Sequence, residues 1–482
     1  PRFASVIFLV FILVGIADLT SAATGLLNNL LSRPHSTLDF LHLFPLNLST
    51  LTLLLFSFAV LFAFGLFMAC FVNVNTFSLH GAYRDRLVRA YLGASKLERH
   101  ADAFTGFDDS DNFQLHRLRG QRPFHVINAT LNLVDGANLA WQNRKAASFT
   151  MSPLHCGSWV LDYRDTFAYS RNLKVGVCKE LRYCNRPDGT CEDNTLLKCR
   201  LSGKSLRLGT AMAISGAAAN PNMGYYSSPV VMFLMAMFNI RLGWWLGNTG
   251  KSGNQRAWFG LGRQYFTKPS PTIAILPLIS ETLGRTDEEK HFVNVSDGGH
   301  FENLGLYEMV VRRCKFIVLS DAAADHRFAF DDLSNAIEKC KVDLGVDIKF
   351  IQPVDIHGPV KNRRKEEPSQ RFAVAKITYP ELADAGDPTA DNEGILFYIK
   401  PTICGNEPIE LRHYVQANPT FPHQSTADQL FDEKQFEAYR SLGFLTMNEI
   451  LDGVPTNDLE SMFKFIVASQ ARSGKDSDGG KK

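Results

Sequence analysis

The chain contains the stretch Val293-Asn-Val-Ser-Asp297-Gly298-Gly299-His300-Phe-Glu-Asn303-Leu-Gly-Leu-Tyr-Glu308, and the organisation of the flanking sequence can be worked out from it. Phe292, just before the stretch, and the β-branched residues up to Val295 predict a strand. The two glycines predict a turn whose backbone angles other residues resist. The apolar residues that follow recur at helical spacing and predict a helix. Residues 315–320 then predict a second strand, which ends at Asp321.

Asp297 has two interpretations at this stage. Open α/β sheets place functional groups at the carboxyl ends of their strands, where a glycine turn can hold an acid in position. An aspartate before a helix also commonly accepts hydrogen bonds from the first backbone amides, as a cap. The spacing alone leaves both interpretations open.

Several blocks of the chain resemble a known family. Asp297-Gly298-Gly299, Asn303 and the Leu-Gly-Leu-Tyr-Glu continuation resemble the second catalytic block of the patatin-like phospholipases, which are serine acyl hydrolases with a Ser-Asp dyad. Four further blocks resemble the large membrane-bound bacterial branch of that family, and they occur in the family's order. They are Phe77-Ser-Leu-His-Gly-Ala-Tyr83-Arg-Asp-Arg86-Leu-Val-Arg89, Ser152-Pro-Leu-His-Cys-Gly157, Ala213-Ile-Ser-Gly-Ala-Ala-Ala-Asn-Pro-Asn-Met-Gly224 and His423-Gln-Ser-Thr-Ala-Asp428. The resemblance covers most of the chain from about residue 77 onward.

The resemblance implies both a fold and an activity. The fold is α/β, a patatin-like three-layer sheet with helices on both faces. Asp297 would be the base that takes the proton of a nucleophilic serine, Gly298 and Gly299 would shape the turn, and Asn303 would hold the turn by hydrogen bonding. The activity is a serine-dependent carboxylic ester hydrolase, of phospholipase or lysophospholipase type, that needs no metal and no cofactor. The acyl chain, the headgroup and the balance between hydrolysis and acyl transfer stay open.

The nucleophilic serine is not evident in this sequence. No Gly-x-Ser-x-Gly elbow and no triple-glycine oxyanion loop is present. Ser215 follows a predicted strand over residues 206–214, but the flanking Ala213 and Ala217 crowd a strained turn, so Ser215 is the less favoured nucleophile. The sequence begins at Pro1 without an initiator Met, and we expect the serine upstream of it. The alternative is a catalytically silent membrane scaffold that keeps the sheet without the dyad.

Two apolar segments begin the chain, at residues 4–17 and 51–74, and predict a transmembrane hairpin. One basic residue, Arg33, lies between them, whereas several follow the second, so the positive-inside rule places the remainder on the cytoplasmic side. We expect an integral protein of the cell inner or plasma membrane, with a membrane lipid as its substrate. The net charge of +2 gives no indication of a nucleic-acid partner.

The predicted domain order is a hairpin (1–75), a juxtamembrane amphipathic segment (76–120), a patatin-like catalytic domain (121–472) and a disordered tail (473–482). Residues 165–204 predict an insertion that contains Cys178, Cys184, Cys191 and Cys199. These cysteines form no Cys-x-x-Cys pair, which makes a zinc knuckle the less favoured interpretation. Cytoplasmic placement argues against disulfides. Their role and the oligomeric state stay open.

The remaining elements follow from periodicity. Residues 347–352, 372–378 and 394–400 predict strands that complete the sheet. Residues 229–246 are apolar and include Trp244-Trp245 near their end, which predicts an interfacial or pocket-lining helix with the tryptophans at headgroup depth. An ordinary core helix is equally consistent with this run.

Overall fold

A computed structural model describes residues 50–468, apart from 105, 139–142, 171–205, 256–263, 358–369, 382–391, 426–430, 455–457 and 459, together with residues 18, 21, 22, 25 and 29. The chain is a mixed α/β protein that divides into two compact units, Pro1–Phe301 and Glu302–Lys482. The first predicted span (4–17), the four cysteines of the predicted insertion and the predicted tail (473–482) lie outside the described residues.

The first unit is built on a six-stranded sheet in the order β4-β3-β2-β1-β6-β5. Every pair of neighbouring strands is antiparallel, and Ala129 of β1 lies opposite Asp297 at the end of β6. The strands are β1 Ile127–Asn132, β2 Ala146–Met151, β3 His155–Ser158, β4 Asp162–Asp165, β5 Trp244–Gly247 and β6 Phe292–Asp297.

The helices of the first unit are α1 Thr50–Phe71, α2 His80–Leu87 with a π-helical continuation Val88–Gly93, α3 Leu208–Ser215, α4 Pro229–Met237, α5 Lys251–Asn254 and α6 Ile275–Thr282. Helix α3 packs on the sheet through Leu208, Ala211 and Ile214, whose spacing places them on one helix face. They belong to the same buried cluster as Ala129 and Leu131 of β1. Burying a leucine or isoleucine side chain contributes about 1.5–3 kcal/mol, so this contact is a large part of what fixes α3 against β1.

The side chains of α1 are described from Leu55 onward, and most of them are exposed and apolar. Within the described part of the chain, no helix is both long enough and apolar enough to cross a membrane. The predicted transmembrane hairpin therefore gains no support from the structure.

The second unit contains a four-stranded sheet in the order β7-β10-β9-β8, in which β7 and β10 are parallel and the other neighbours are antiparallel. Residues 460–468 are helical, and Phe463 packs against Val374 and Phe397 of the sheet. The elements are α7 Leu306–Val311, β7 Phe316–Ser320, α8 Asp331–Leu344, β8 Asp347–Phe350, β9 Phe372–Thr378, β10 Glu393–Ile399, α9 Ile409–Ala417 and α10 Glu433–Leu451.

Three predictions about these elements were wrong. The strands β8, β9 and β10 do not complete the sheet that contains β6; they pair with one another and with β7 in a separate sheet. Residues 206–214 are not a strand, because α3 begins at Leu208. Trp244 and Trp245 do not end an interfacial helix, because α4 ends at Met237 and both tryptophans lie buried in β5.

Candidate functional site

Asp297 lies at the carboxyl end of β6, which has β1 on one side and β5 on the other. Its Oδ1 accepts a hydrogen bond of 2.7 Å from the amide of Gly299, the second residue of the 3₁₀ turn Gly298–His300. Among the described residues, no hydrogen bond is made to its other carboxylate oxygen, Oδ2. The capping role considered from the sequence is therefore present, and one oxygen remains available for a proton.

Burial raises the pKa of the Asp297 carboxyl above its ordinary value of 3.8, while the hydrogen bond from Gly299 opposes that rise. Burial acts this way because it disfavours the charged form of an acid. A carboxylate with a raised pKa is a better proton acceptor than an exposed aspartate. Asp297 is thus suited, in its ionised form, to act as a general base.

The glycines of the turn serve a different purpose from the one predicted. Neither Gly298 nor Gly299 has a positive φ, so the turn does not require the left-handed backbone that favours glycine. A Cβ on Gly298 would lie 3.2 Å from the carbonyl oxygen of Asn128 in β1. Gly298 is required by this close approach to β1, and the hydroxyl of Thr130 adds a hydrogen bond of 3.1 Å to the Gly298 carbonyl.

Asn303 belongs to the second compact unit and is exposed. Its amide nitrogen donates to Asp332 Oδ2 at 3.0 Å, which is a different partner from the turn that the sequence suggested. Nearby, the carboxylate of Glu302 accepts from the amides of Leu304 and Tyr307 at 2.6 and 3.1 Å. Glu302 therefore holds the start of α7, a role the sequence analysis missed.

Ser215 is close to the turn but poorly placed as a nucleophile. It is the last residue of α3, and its hydroxyl donates to the Asn128 carbonyl at 2.6 Å, the same carbonyl that approaches Gly298. The carboxyl end of a helix carries a partial negative charge, which disfavours an alkoxide. The hydroxyl proton of Ser215 is therefore directed at a carbonyl oxygen, and the partial negative charge at the end of α3 disfavours removal of that proton.

Tyr83 of α2 is a site residue that the sequence analysis did not identify. A Cβ on Gly216 would lie 2.5 Å from its hydroxyl oxygen, so the phenol sits against the end of α3. Burial and then the negative charge of Asp297 raise the pKa of Tyr83, which keeps the phenol protonated. The block that contains Tyr83 was the available signal, although nothing in it indicated proximity to Asp297.

His300 bridges two segments of the chain through its two ring nitrogens. Its Nδ1 lies 2.8 Å from Ser296 Oγ and its Nε2 lies 3.2 Å from the Ala218 carbonyl oxygen. A carbonyl can only accept, so Nε2 carries the proton and Nδ1 accepts from the serine. Burial lowers the pKa of His300 to about 4, which makes the ring a neutral bridge between β6 and the segment after α3.

Buried asparagine side chains form a hydrogen-bonded network next to the Asp297 site. Asn132 Nδ2 donates to Asn294 Oδ1 at 2.7 Å and to Ser296 Oγ at 2.9 Å. Asn220 Nδ2 also donates to Asn294 Oδ1, at 3.0 Å. Asn294 in turn donates to Glu281, whose carboxylate also receives bonds from the side chains of Arg241 and Trp245. These bonds fix β1, β6, α6 and the segment after α3 in one arrangement.

Asp321, the other acid at a strand end, is neutralised inside the second unit. Its Oδ2 accepts from Lys400 Nζ at 2.9 Å and from the hydroxyl of Tyr398 at 2.6 Å. Both Asp321 and Lys400 are fully buried at the carboxyl ends of the parallel strands β7 and β10. The pair is a structural ion pair.

Among the described residues, no group of three or more His, Cys, Asp or Glu is arranged to hold a metal ion. No known family model matches the chain, and no curated protein matches it. The functional assignment therefore depends on the geometry of the Asp297 site and on the resemblance of its sequence blocks.

Proposed function

We propose that this chain carries the acid half of a membrane-anchored lipid acyl hydrolase of patatin-like fold, with Asp297 as the base of a Ser-Asp dyad. One observation carries the proposal: a half-buried carboxylate of raised pKa ends strand β6, between β1 and β5, with one oxygen held by a backbone amide and the other available. That arrangement is what a general base for a serine hydroxyl requires. The substrate class is a phospholipid or another acyl ester at the cytoplasmic face of the membrane.

The chemical sequence is an acyl transfer to serine and then to water. The serine proton moves to Oδ2 of Asp297 as the serine oxygen bonds to the ester carbonyl carbon. The proton then passes to the departing alcohol as the ester bond breaks, which leaves an acyl-serine. Water then attacks the acyl-serine ester and gives a proton to Asp297. Asp297 passes this proton to the serine oxygen as the bond between serine and the acyl group breaks and the fatty acid is released.

The serine belongs, in this proposal, to a segment upstream of this sequence. Two observations support that placement: the sequence contains no Gly-x-Ser-x-Gly, and Ser215 directs its proton to the Asn128 carbonyl from the end of a helix. The anchor would be the predicted hairpin, of which α1 is the described part.

The test is the change Asp297→Asn in the full-length protein, assayed on phospholipid and lysophospholipid vesicles. Asparagine keeps an oxygen for the Gly299 amide but accepts no proton, so we expect kcat/KM to fall by about 10²- to 10⁴-fold, the usual contribution of a general base. Asp135→Asn is the matched control, because Asp135 is exposed in the same unit. Unchanged turnover in Asp297→Asn would remove Asp297 from the chemistry.

The second candidate is a catalytically silent scaffold. The capping bond from Gly299 favours it, because that bond gives Asp297 a structural purpose without any reaction. The scaffold predicts that neither the parent protein nor the Asp135→Asn control hydrolyses acyl esters.

A further inference from the structure

The helices α4 and α6 pack against each other in the first unit and present an apolar surface outward. Val230, Phe233 and Met237 lie at i, i+3 and i+7, which is one face of α4, and they are 41%, 38% and 40% exposed. Leu276, Ile279 and Leu283 repeat the spacing on and just after α6, at 59%, 46% and 58%. We call these six residues the apolar platform.

The platform is fixed in its outward orientation. The inward faces of the two helices carry Met232, Ala236, Pro277 and Glu281, all buried. Glu281 receives hydrogen bonds from Arg241, Trp245 and Asn294, which tie α6 to the sheet. Rotating α6 to bury its part of the platform would break these bonds and expose the buried ion pair of Glu281 with Arg241, and rotating α4 would expose its buried Met232 and Ala236.

The platform carries no charge. Helix α4 contains no ionisable residue, and the one acid of α6, Glu281, is buried and paired. Soluble proteins seldom expose large apolar patches unless the patch binds a partner or a membrane. Uncharged side chains on two packed helices fit a hydrocarbon phase better than a polar protein surface.

The platform also joins the apolar helix α1. The amide of Ala274, next to α6, donates to the Ala69 carbonyl in α1 at 2.8 Å, and Val74, Trp245 and Ala274 pack into one cluster. Most described side chains of α1 are exposed and apolar, as in Phe62, Phe64 and Phe67 at 54%, 60% and 59%. A helix that is apolar all round needs an apolar surrounding. A bilayer supplies that surrounding for α1 and the platform together, at one junction.

The same surface leads to the Asp297 site. Tyr225 and Tyr226 precede α4 and are 71% and 68% exposed, and tyrosine suits the boundary between hydrocarbon and water. A Cβ on Gly224, beside them, would lie 2.7 Å from the carbonyl oxygen of His300. The segment that leads into α4 therefore lies against the turn that holds Asp297.

We infer that the apolar platform inserts into one leaflet of a lipid bilayer beside α1, so that the Asp297 site faces the headgroup region. The inference deepens the proposed function, on which its relevance to catalysis rests. The inferred membrane contact is separate from the predicted hairpin anchor. Insertion of the apolar platform does not require hydrolysis.

The test places the photoreactive residue p-benzoylphenylalanine at Phe233 or Leu276 of the full chain, in vesicles of equal parts phosphatidylcholine and phosphatidylglycerol. Val342→p-benzoylphenylalanine is the matched control, because Val342 is an apolar residue of α8 that is 66% exposed and lies outside the platform. After irradiation, mass spectrometry identifies what each position has captured. All three side chains are exposed, and circular dichroism in the vesicles verifies that each variant keeps its helix content.

We expect lipid acyl-chain adducts at Phe233 and Leu276, and none at Val342 above the background of unirradiated samples. Adducts to a second copy of the chain at Phe233 and Leu276 would overturn the inference, as would the absence of any adduct. Crosslinking requires no turnover, so Asp297→Asn should give the same adducts. Failure of the inference is thereby distinguished from failure of the catalytic proposal.

Discussion

Asp297 shows how one side chain combines a structural and a chemical role. Its Oδ1 holds the Gly299 amide, and its burial raises its pKa. These effects act on different properties: the hydrogen bond fixes the position of the carboxylate, and the burial increases its affinity for a proton. The two interpretations that the sequence left open are therefore compatible at this residue.

The raised pKa of Asp297 also predicts how stability depends on pH. The folded protein binds the Asp297 proton more tightly than the unfolded chain does, so ionised Asp297 lowers the free energy of unfolding once pH rises through the folded pKa. Asn keeps the cap without the charge, and we expect Asp297→Asn to unfold at a higher temperature than the parent protein at pH 7. The difference should disappear below the ordinary pKa of 3.8. Calorimetric scans across that pH range measure it.

Asp297→Ala is the matched variant for this prediction. Alanine removes both the charge and the cap, and a lost cap costs about 0.5–2 kcal/mol, so Asp297→Ala should be less stable than Asp297→Asn at every pH. Equal stability of the two variants would show that the Gly299 hydrogen bond contributes nothing to folding.

At the scale of elements, two glycines should respond in opposite directions to alanine. A Cβ on Gly298 would press on the Asn128 carbonyl, which the pairing of β1 with its neighbours holds in place. We expect Gly298→Ala to cost about 1–3 kcal/mol, as overpacking usually does. Gly443 lies inside α10 with nothing within 4 Å of a Cβ, and Gly443→Ala should gain about 0.5–1 kcal/mol. Urea unfolding compares them, and a neutral Gly298→Ala would contradict the tight contact.

The ends of β7 and β10 give a further prediction at this scale. Lys400→Met leaves the fully buried Asp321 without its cation, and breaking a buried pair in this way costs about 3–5 kcal/mol. The double variant Asp321→Asn/Lys400→Met should recover much of that loss, because the fully buried residue 321 no longer carries a charge. Urea unfolding monitored by circular dichroism tests both. A single variant as stable as the parent would show that the pair is not needed.

Elements with strong periodicity were predictable from the sequence, and short apolar runs were not. The β-branched residues before Asp297 predicted β6, and the periodicity of residues 372–378 predicted β9. The run that became α3 is apolar and short, a pattern that strand and buried helix share. The asparagine network was not predictable, because Asn132, Asn220 and Asn294 are far apart in the sequence and meet only when the sheet forms.

At the scale of the whole molecule, the proposal predicts how an activated serine will appear. A fluorophosphonate probe reacts with serines that a base has activated. We expect no labelling of this chain in membranes, and labelling of a product extended upstream that is lost in its Asp297→Asn variant. Label on Ser215 in this chain would instead make Ser215 the nucleophile. No label on either product would favour the silent scaffold.

The arrangement into two sheets was not predictable from the chain. Periodicity indicates which residues form strands, but it does not indicate which strands become neighbours. Strands β9 and β10 pair antiparallel, and β7 joins them on the other edge of β10. A single sheet was expected because one helix connects β6 to β7. In the structure, β6 and β7 belong to different sheets.

The boundary after Phe301 bears on any attempt to dissect the protein into smaller pieces. The most informative stretch of the sequence is continuous, yet a cut between the units leaves Asp297 on one fragment and Asn303 on the other. Fragments that respect compactness will split the recognisable sequence block, and fragments that keep the block whole will carry part of a second core. For this protein, a conspicuous sequence block is therefore a poor guide to where to cut.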